Sequence, residues 1–321
     1  MTTDDGHLVS FGTAFHGTRI HRRAAAYEWV RHPGPLRLEP FTQVHPGLRT
    51  TLEALDTGGV RLGVGVADGP ERRYRAGSPS TASNVLQPGP ADEVWPALQP
   101  LLHATGRALR RLHTGVAAPA AAPAPAGTTR LASWLRTGHG PQHAPRLFAL
   151  ARQVLGAERW ERASDWAADT TGAGPGAVFL HGGASLGALV LDATPDGLLT
   201  GTGTLLTGED LARGPAAYDV GWLLGELAEF RLLPQGRQHP RTAHRLHEAA
   251  RHILRGYGPV CPVAVGRVAT LRILTHAHDF AAYVGWHDQL PDYVGLVADL
   301  LDSDGAAALP DTPLKEAGAL T

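Results

Sequence analysis

The sequence predicts an α+β protein, a small β-containing N-terminal lobe followed by a larger, mainly helical C-terminal lobe. Two observations carry this. Val60–Val66 alternates Val60, Leu62, Val64 and Val66 with Arg61, Gly63 and Gly65, which is the period of two of a strand, and Asp68-Gly69 turns the chain toward a return strand over Arg72–Ala76. From Val94 the apolar residues recur every three to four positions instead: Val94, Leu98, Leu101, Leu102, Leu109 and Leu112 form one face, and Arg107, Arg110 and Arg111 stand opposite. The period changes near Gln87-Pro88-Gly89-Pro90, a natural connector. Residues 1–88 are therefore expected as the small lobe, 89–304 as the helical lobe and 305–321 as a loose tail.

Within the small lobe, residues 1–23 are polar and mixed, with Phe11, Phe15 and Ile20 as possible anchors. Ala24–Val30 fits either a short helix or a strand and is broken by His32-Pro33-Gly34-Pro35. Leu48, Leu52 and Leu55 give a short helical pattern. In the larger lobe Gly115 ends the first helix. Val116–Gly127 (VAAPAAAPAPAG) is expected as an extended, solvated linker without a core role. Leu131–Leu135 and Pro145–Trp166 read as helices, with Trp134, Trp160 and Trp166 as packing residues. Val178–Leu180, Ala188–Leu191 and Leu198–Leu206 are strand-like, the first two separated by a glycine-rich loop. Helical patterns then cover Tyr218–Phe230, Arg241–Arg255, Val265–Trp286 and Tyr293–Leu301.

The 321 residues carry a net charge of −1, so neither nucleic acid nor an anionic membrane is expected as a partner. The apolar runs are too short to span a bilayer, and the opening MTTDDGHLVSFG has neither the basic nor the apolar region of a secretory signal. Cys261 is the single cysteine, which excludes an internal disulfide and makes the cytoplasm the expected location. Among 29 Lys and Arg residues only Lys315 is a lysine. Arginine cannot substitute freely for a lysine that chemistry demands, because its shape differs and it does not release its proton.

Generic catalytic patterns are weak here. His276 and His278 are two apart on a helix and point to different sides, so with Asp279 they are not expected to hold a metal. His239, His244, His247 and His252 lie on an Arg-rich, solvated helical face. Gly182-Gly183 and Gly187 have the texture of a phosphate loop, but the GxxxxGK[ST] pattern is absent, and so is GxSxG. Nothing around Cys261 argues for a thiol catalyst.

Three stretches share a layout with a known family. Gly106–His113 reads GRALRRLH; His181-Gly182 is followed by Leu189-Val190-Leu191-Asp192; and Glu209-Asp210 leads to Arg213-Gly214-Pro215 and Tyr218-Asp219. With Arg255-Gly256-Tyr257-Gly258, they make residues 90–300 resemble the aminoglycoside phosphotransferase branch of the protein-kinase-like two-lobe fold. The resemblance implies a catalytic loop of the form HGDxxxxN at 181–188, a metal-binding Asp twelve residues before Asp219, and a phosphate-pairing lysine in the small lobe. This chain has Gly183, Ala188 and Thr207 at those three positions and no lysine before Lys315. Phosphoryl transfer depends on just such positioning and charge-neutralising groups. The resemblance further implies that His181 and Asp219 anchor the loop. Glu209, Asp210 and Ser185 are the groups left for displaced catalysis, against a structural or substrate-facing role for the two acids.

Ala184-Ser185-Leu186-Gly187, Leu205–Asp210 and Gly221–Leu227 are also similar to the kinase-like subunits of class V lanthipeptide and thioamitide maturation. That similarity implies a precursor peptide and a lyase-type protein as partners. Two functions follow as expectations. One is a pseudokinase-type binding subunit with no cofactor or metal. The other is a divergent phosphotransferase that uses ATP and Mg²⁺ on a peptide Ser/Thr or a small-molecule hydroxyl.

Overall fold

The computed structural model describes residues 6–310 except 25, 56, 172, 173, 175 and 234–237. The small lobe begins with an antiparallel meander, β1 (His7–Gly12), β2 (His16–Arg23) and β3 (Ala26–Pro33). The ambiguous Ala24–Val30 segment thus runs into a strand. Ile20 and Trp29 face each other in register and are both buried, so aromatic and β-branched packing decides between the two options. Helix α1 (Pro46–Glu53) starts on a proline, and its N-cap His45 accepts a hydrogen bond from Gly47 N.

Val60–Val66 does not form one strand. It divides at Gly65 into β4 (Val60–Val64) and β5 (Val66–Asp68), and only β5 pairs with β6 (Glu71–Ala76) as the expected hairpin. The glycines explain the break. A Cβ on Gly65 would lie 2.7 Å from the Tyr74 ring, and one on Gly63 would lie 2.4 Å from Thr204. The chain bends against Tyr74 and brings β4 close to β9 (Leu199–Thr207), with which it pairs in parallel, Leu62 opposite Leu205. One sheet runs β1-β2-β3-β6-β5, and a second, β4-β9-β8, joins the small lobe to β8 (Leu189–Ala193).

The larger lobe holds α2 (Ala82–Leu86), α3 (Trp95–Gly115), α4 (Ala126–Thr137) and α5 (Ala144–Thr171). After β7 (Val178–Leu180), β8, β9 and β10 (Ala212–Gly214) come α6 (Ala217–Leu232), α7 (Pro240–Tyr257), α8 (Pro262–Tyr283) and α9 (Leu290–Asp302). α5 breaks at Gly156, whose φ of 67° no helix interior adopts. One buried cluster crosses the lobes, joining Trp29 and Leu62 to Leu102, Leu205 and Leu224. A second holds Trp134, Trp160 and Trp166 among α4, α5, α8 and α9.

The Ala/Pro stretch departs from a solvated linker. Ala126 and Gly127 open α4, Val116 and Pro125 are buried, and Pro123 O accepts a hydrogen bond from Arg213 N. The prolines remove donors while their carbonyls serve β10 and the start of α4. The near end of the expected tail is packed as well: Gly305 abuts Gly266, and Ala308 is buried. Residues 311–321, with Lys315, lie outside the described residues. No helix among those described is long and apolar enough to cross a membrane.

Candidate functional site

The loop between β7 and β8 sits where the two lobes meet. Its backbone is held from below by α6. Asp219, wholly buried in the first turn of that helix, accepts hydrogen bonds from His181 N at 2.7 Å and Gly182 N at 2.9 Å, and lies 2.9 Å from His113 Nε2. His113 Nδ1 in turn meets the Tyr257 hydroxyl at 2.8 Å. Burial pushes the Asp219 carboxyl up, but the His113 hydrogen bond, the two histidines and the loop N–H outweigh it and leave the group below the usual carboxylate range. Gly182 adopts φ 80°, and a Cβ there would lie 1.7 Å from Asp210 O, so this turn admits only glycine. Two helical turns further, Glu226 accepts from Leu186 N at 2.8 Å.

Inside this frame, Thr207 is fully buried, and its hydroxyl donates to Leu205 O at 2.8 Å. Ala188 is buried, and its N–H donates to Ser185 Oγ at 3.1 Å, so Ser185 closes the loop turn. His181 Nε2 lies 3.0 Å from Leu206 O. The positions 183, 188 and 207 present no side-chain carboxylate or amide to the cleft.

Glu209 points into the small lobe. Arg31 Nη1 on β3 lies 3.3 Å from both of its oxygens, and the Tyr74 hydroxyl donates to it at 2.5 Å. Arg31 also donates to Gly187 O at 3.1 Å, which ties the loop to β3. Burial raises the Glu209 pKa, but the opposing Arg31 charge and the Tyr74 and Arg31 hydrogen bonds bring it down to about 2. His16 stands 3.7 Å from Glu209. Burial lowers its pKa to about 4, so the imidazole is neutral at pH 7 and Arg31 supplies the countercharge there.

Asp210 faces the other way. Arg37 donates to its Oδ1 at 2.6 Å, while its Oδ2 lies 3.5 Å from where a Cβ on Gly183 would stand. The Asp210 carboxylate therefore borders the space that a side chain at 183 would enter. The β1–β2 turn closes the cleft from above. Ala14 N donates to Tyr283 O at 2.9 Å, and the Phe15 ring lies 4.7 Å from the Arg37 guanidinium and 4.2 Å from that of Arg130. Below this turn a cavity of about 290 Å³ is lined by His16, Arg130, Ser185, Asp210, Arg272 and His276, among others.

The structure thus brings together His181, Gly183, Ser185, Ala188, Thr207, Asp210 and Asp219 around one loop and turns Glu209 away into an ion pair. Sequence reasoning missed Arg31, Arg37, Arg130, Arg272 and Tyr74. A strand arginine with a buried acid as partner leaves no local signature, but the near-total absence of lysine pointed to arginine as the cation available. His276, His278 and Asp279 do not converge on one point. His276 Nδ1 meets Glu229 at 2.8 Å, whereas His278 meets Asp279 at 2.9 Å. Among the described residues no group of three His, Cys, Asp or Glu is arranged to hold a metal ion.

No family model matches the chain, and no curated protein matches it in sequence. Solved structures do match its fold. The amicoumacin kinase hAmiN, in complex with AMP-PNP, Ca²⁺ and its ligand, superposes with a TM-score of 0.54 at 12% identity over 94% of this chain and 89% of its own. The choline kinase LicA from Streptococcus pneumoniae gives 0.51 at 12% identity over 92% and 94%. A spectinomycin phosphotransferase bound to ADP and spectinomycin gives 0.50 at 9% identity over 94% and 93%. The chain has the two-lobe α+β fold of the aminoglycoside phosphotransferase-like small-molecule kinases.

Proposed function

We propose that this kinase-fold chain is a non-catalytic, pseudokinase-type subunit that binds a peptide or partner protein at the interlobe cleft. One observation carries the reading. Phosphoryl transfer in this fold needs groups that orient the attacking hydroxyl and hold metal on the phosphates. The positions that would supply them are Gly183, Ala188 and Thr207, and the adjacent acid Glu209 is consumed by Arg31 and Tyr74. A Mg²⁺ ion at this point would have to displace a buried Arg–carboxylate pair. The β4–β9 pairing and the Ala14–Tyr283 bond also tie the two lobes together.

The similarity to lanthipeptide and thioamitide maturation subunits supports a precursor peptide as the bound partner and a lyase-type protein as the neighbour. On this reading Ser185 and Asp210 face the bound chain, and His181, Asp219 and Glu226 keep the loop in shape.

A second reading has its own observation. Asp210 Oδ2 borders the side-chain space of position 183. A divergent phosphotransferase could use it to orient a hydroxyl, with Arg31, Arg37 or Arg130 in place of the missing lysine.

Thermal shift with ATP, with and without Mg²⁺, separates the two. The first reading expects no Mg²⁺-dependent rise in melting temperature; a ligand at a hundredfold excess over its Kd would add about 2.7 kcal/mol of stability. A Mg²⁺-dependent rise, together with phosphate transfer to a Ser/Thr peptide that Asp210→Asn abolishes, would establish the second.

A further inference from the structure

We infer that the C-lobe cavity beside the 181–188 loop is an oxyanion site that takes a carboxylate or phosphate group. This rests on reading the cavity as a binding site, and it is independent of whether the chain transfers phosphate. It also sets the cavity apart from one built for a polycationic sugar.

Hydrogen-bond donors on the cavity wall outnumber the acceptors free to meet them. Arg272 lines the cavity with its side chain only 13% exposed. It forms a long ion pair with Glu229, Nη1 to Oε2 at 3.5 Å. Its five N–H groups form a fixed fork on a largely buried side chain, and the Trp222 ring lies 5.6 Å from the guanidinium carbon. Arg130 spends Nη2 on Asp279 at 2.7 Å, while its buried Nε has no partner among the described residues. His276 uses Nδ1 on Glu229, which leaves Nε2 for the cavity. The Tyr218 hydroxyl belongs to a wholly buried residue; the Thr128 side chain stands near it, but among the described residues no hydrogen bond of good geometry reaches it. It lies 3.3 Å from where a Cβ on the cavity-lining Gly127 would stand. Gly127 and Ala126 open α4, which has no side-chain cap, so its first N–H groups end at the same wall.

Acceptors are scarce by comparison. Both Asp279 oxygens are taken, by His278 and Arg130. Glu229 is covered by His276 and Tyr293. Asp210 Oδ2 is the one carboxylate oxygen on the wall without a donor among the described residues. Unpaired buried donors are costly, and an oxyanion satisfies several of them at once. The donors gather around Arg272, Arg130 and the start of α4. Asp210 then suits a hydroxyl or ammonium carried on the same ligand.

The test titrates O-phospho-L-serine, L-glutamate, inorganic phosphate and kanamycin into the full chain, without nucleotide or metal, following heat release and melting temperature. Saturable binding of one or more of the three anions is expected, weakened about tenfold or more in Arg272→Gln. The preferred anion tells whether a phosphate ester, a carboxylate or free phosphate is the source. Arg272→Lys keeps the charge but loses the fork, and it carries the test if Arg272→Gln fails to fold; it too should weaken binding. The inference is overturned if no anion binds, if binding survives both variants unchanged, or if kanamycin binds more tightly than every anion. Phosphate transfer from ATP would defeat the non-catalytic reading and leave this one standing.

Discussion

The two walls of the interlobe cleft use the same residue types and differ in how tightly their acids are engaged. On the small-lobe wall the acid is fully used: Glu209 has Arg31 and Tyr74, and Arg31 also holds Gly187 O, with Arg31 Nε and His16 Nε2 left over among the described residues. On the C-lobe wall Arg272 meets Glu229 only at 3.5 Å, and among the described residues the Arg130 Nε has no partner. A matched buried pair closes a surface and has little left to offer a ligand. An unmatched donor keeps its binding capacity at a cost in stability. On the proposed reading, binding falls to the C-lobe side and closure to the other.

The largest effect should come from the residue behind both walls. Asp219→Ala removes the buried acceptor of the His181 and Gly182 amides and of His113. Leaving these groups unpaired should cost about 3–5 kcal/mol. Chemical denaturation would measure it. A loss under 1 kcal/mol would show that the loop is not held from α6.

Glu209→Gln should cost less, about 2–3 kcal/mol, because Arg31 keeps Gly187 O and the amide oxygen still accepts from Tyr74. If the walls are separate, anion binding in the C-lobe cavity should stay within about twofold of the parent, a difference worth roughly 0.4 kcal/mol. A tenfold loss would join the two walls into one site.

Acidification should act on the closed wall next. The folded pKa of His16, about 4, lies below its ordinary 6.5, so the unfolded chain binds more protons between those values. Its contribution is complete above pH 6.5 and is lost as pH falls toward 4. Glu209, lowered from 4.5 to about 2, adds a second loss across that lower window. Melting temperature should fall from pH 7 to 4.5, with a shallower fall in His16→Gln. Identical slopes in the two proteins would remove His16 from the wall.

This contrast was only half legible in the sequence. The lobes, the helix spans and the tryptophan-rich packing follow from periodicity, which is a local signal. The loop frame could be placed because His181, Gly182, Gly214, Pro215 and Asp219 keep a fixed spacing. The split of Val60–Val66 could not, because the parallel partner of β4 lies about 140 residues away and only the fold brings Leu62 to Leu205. Glu209 and Asp210 are neighbours in sequence with opposite surroundings, since successive side chains leave the backbone in different directions. Composition alone cannot tell which of them finds an arginine from β3 and which finds one from the loop that follows it.

The smallest effect tests whether Ser185 belongs to the loop or to the ligand. Its hydroxyl accepts the Ala188 amide at 3.1 Å and also borders the cavity. If its role is to close the loop turn, Ser185→Ala should cost about 1 kcal/mol, the worth of one partly exposed hydrogen bond, and leave anion affinity unchanged. In a chain of this size that loss is a fall of about 2 °C in melting temperature. An unchanged melting temperature with a tenfold weaker anion would place the hydroxyl on the ligand instead. The open wall would then extend from Arg272 across the loop to position 185, and the catalytic-loop segment itself would become part of the binding surface.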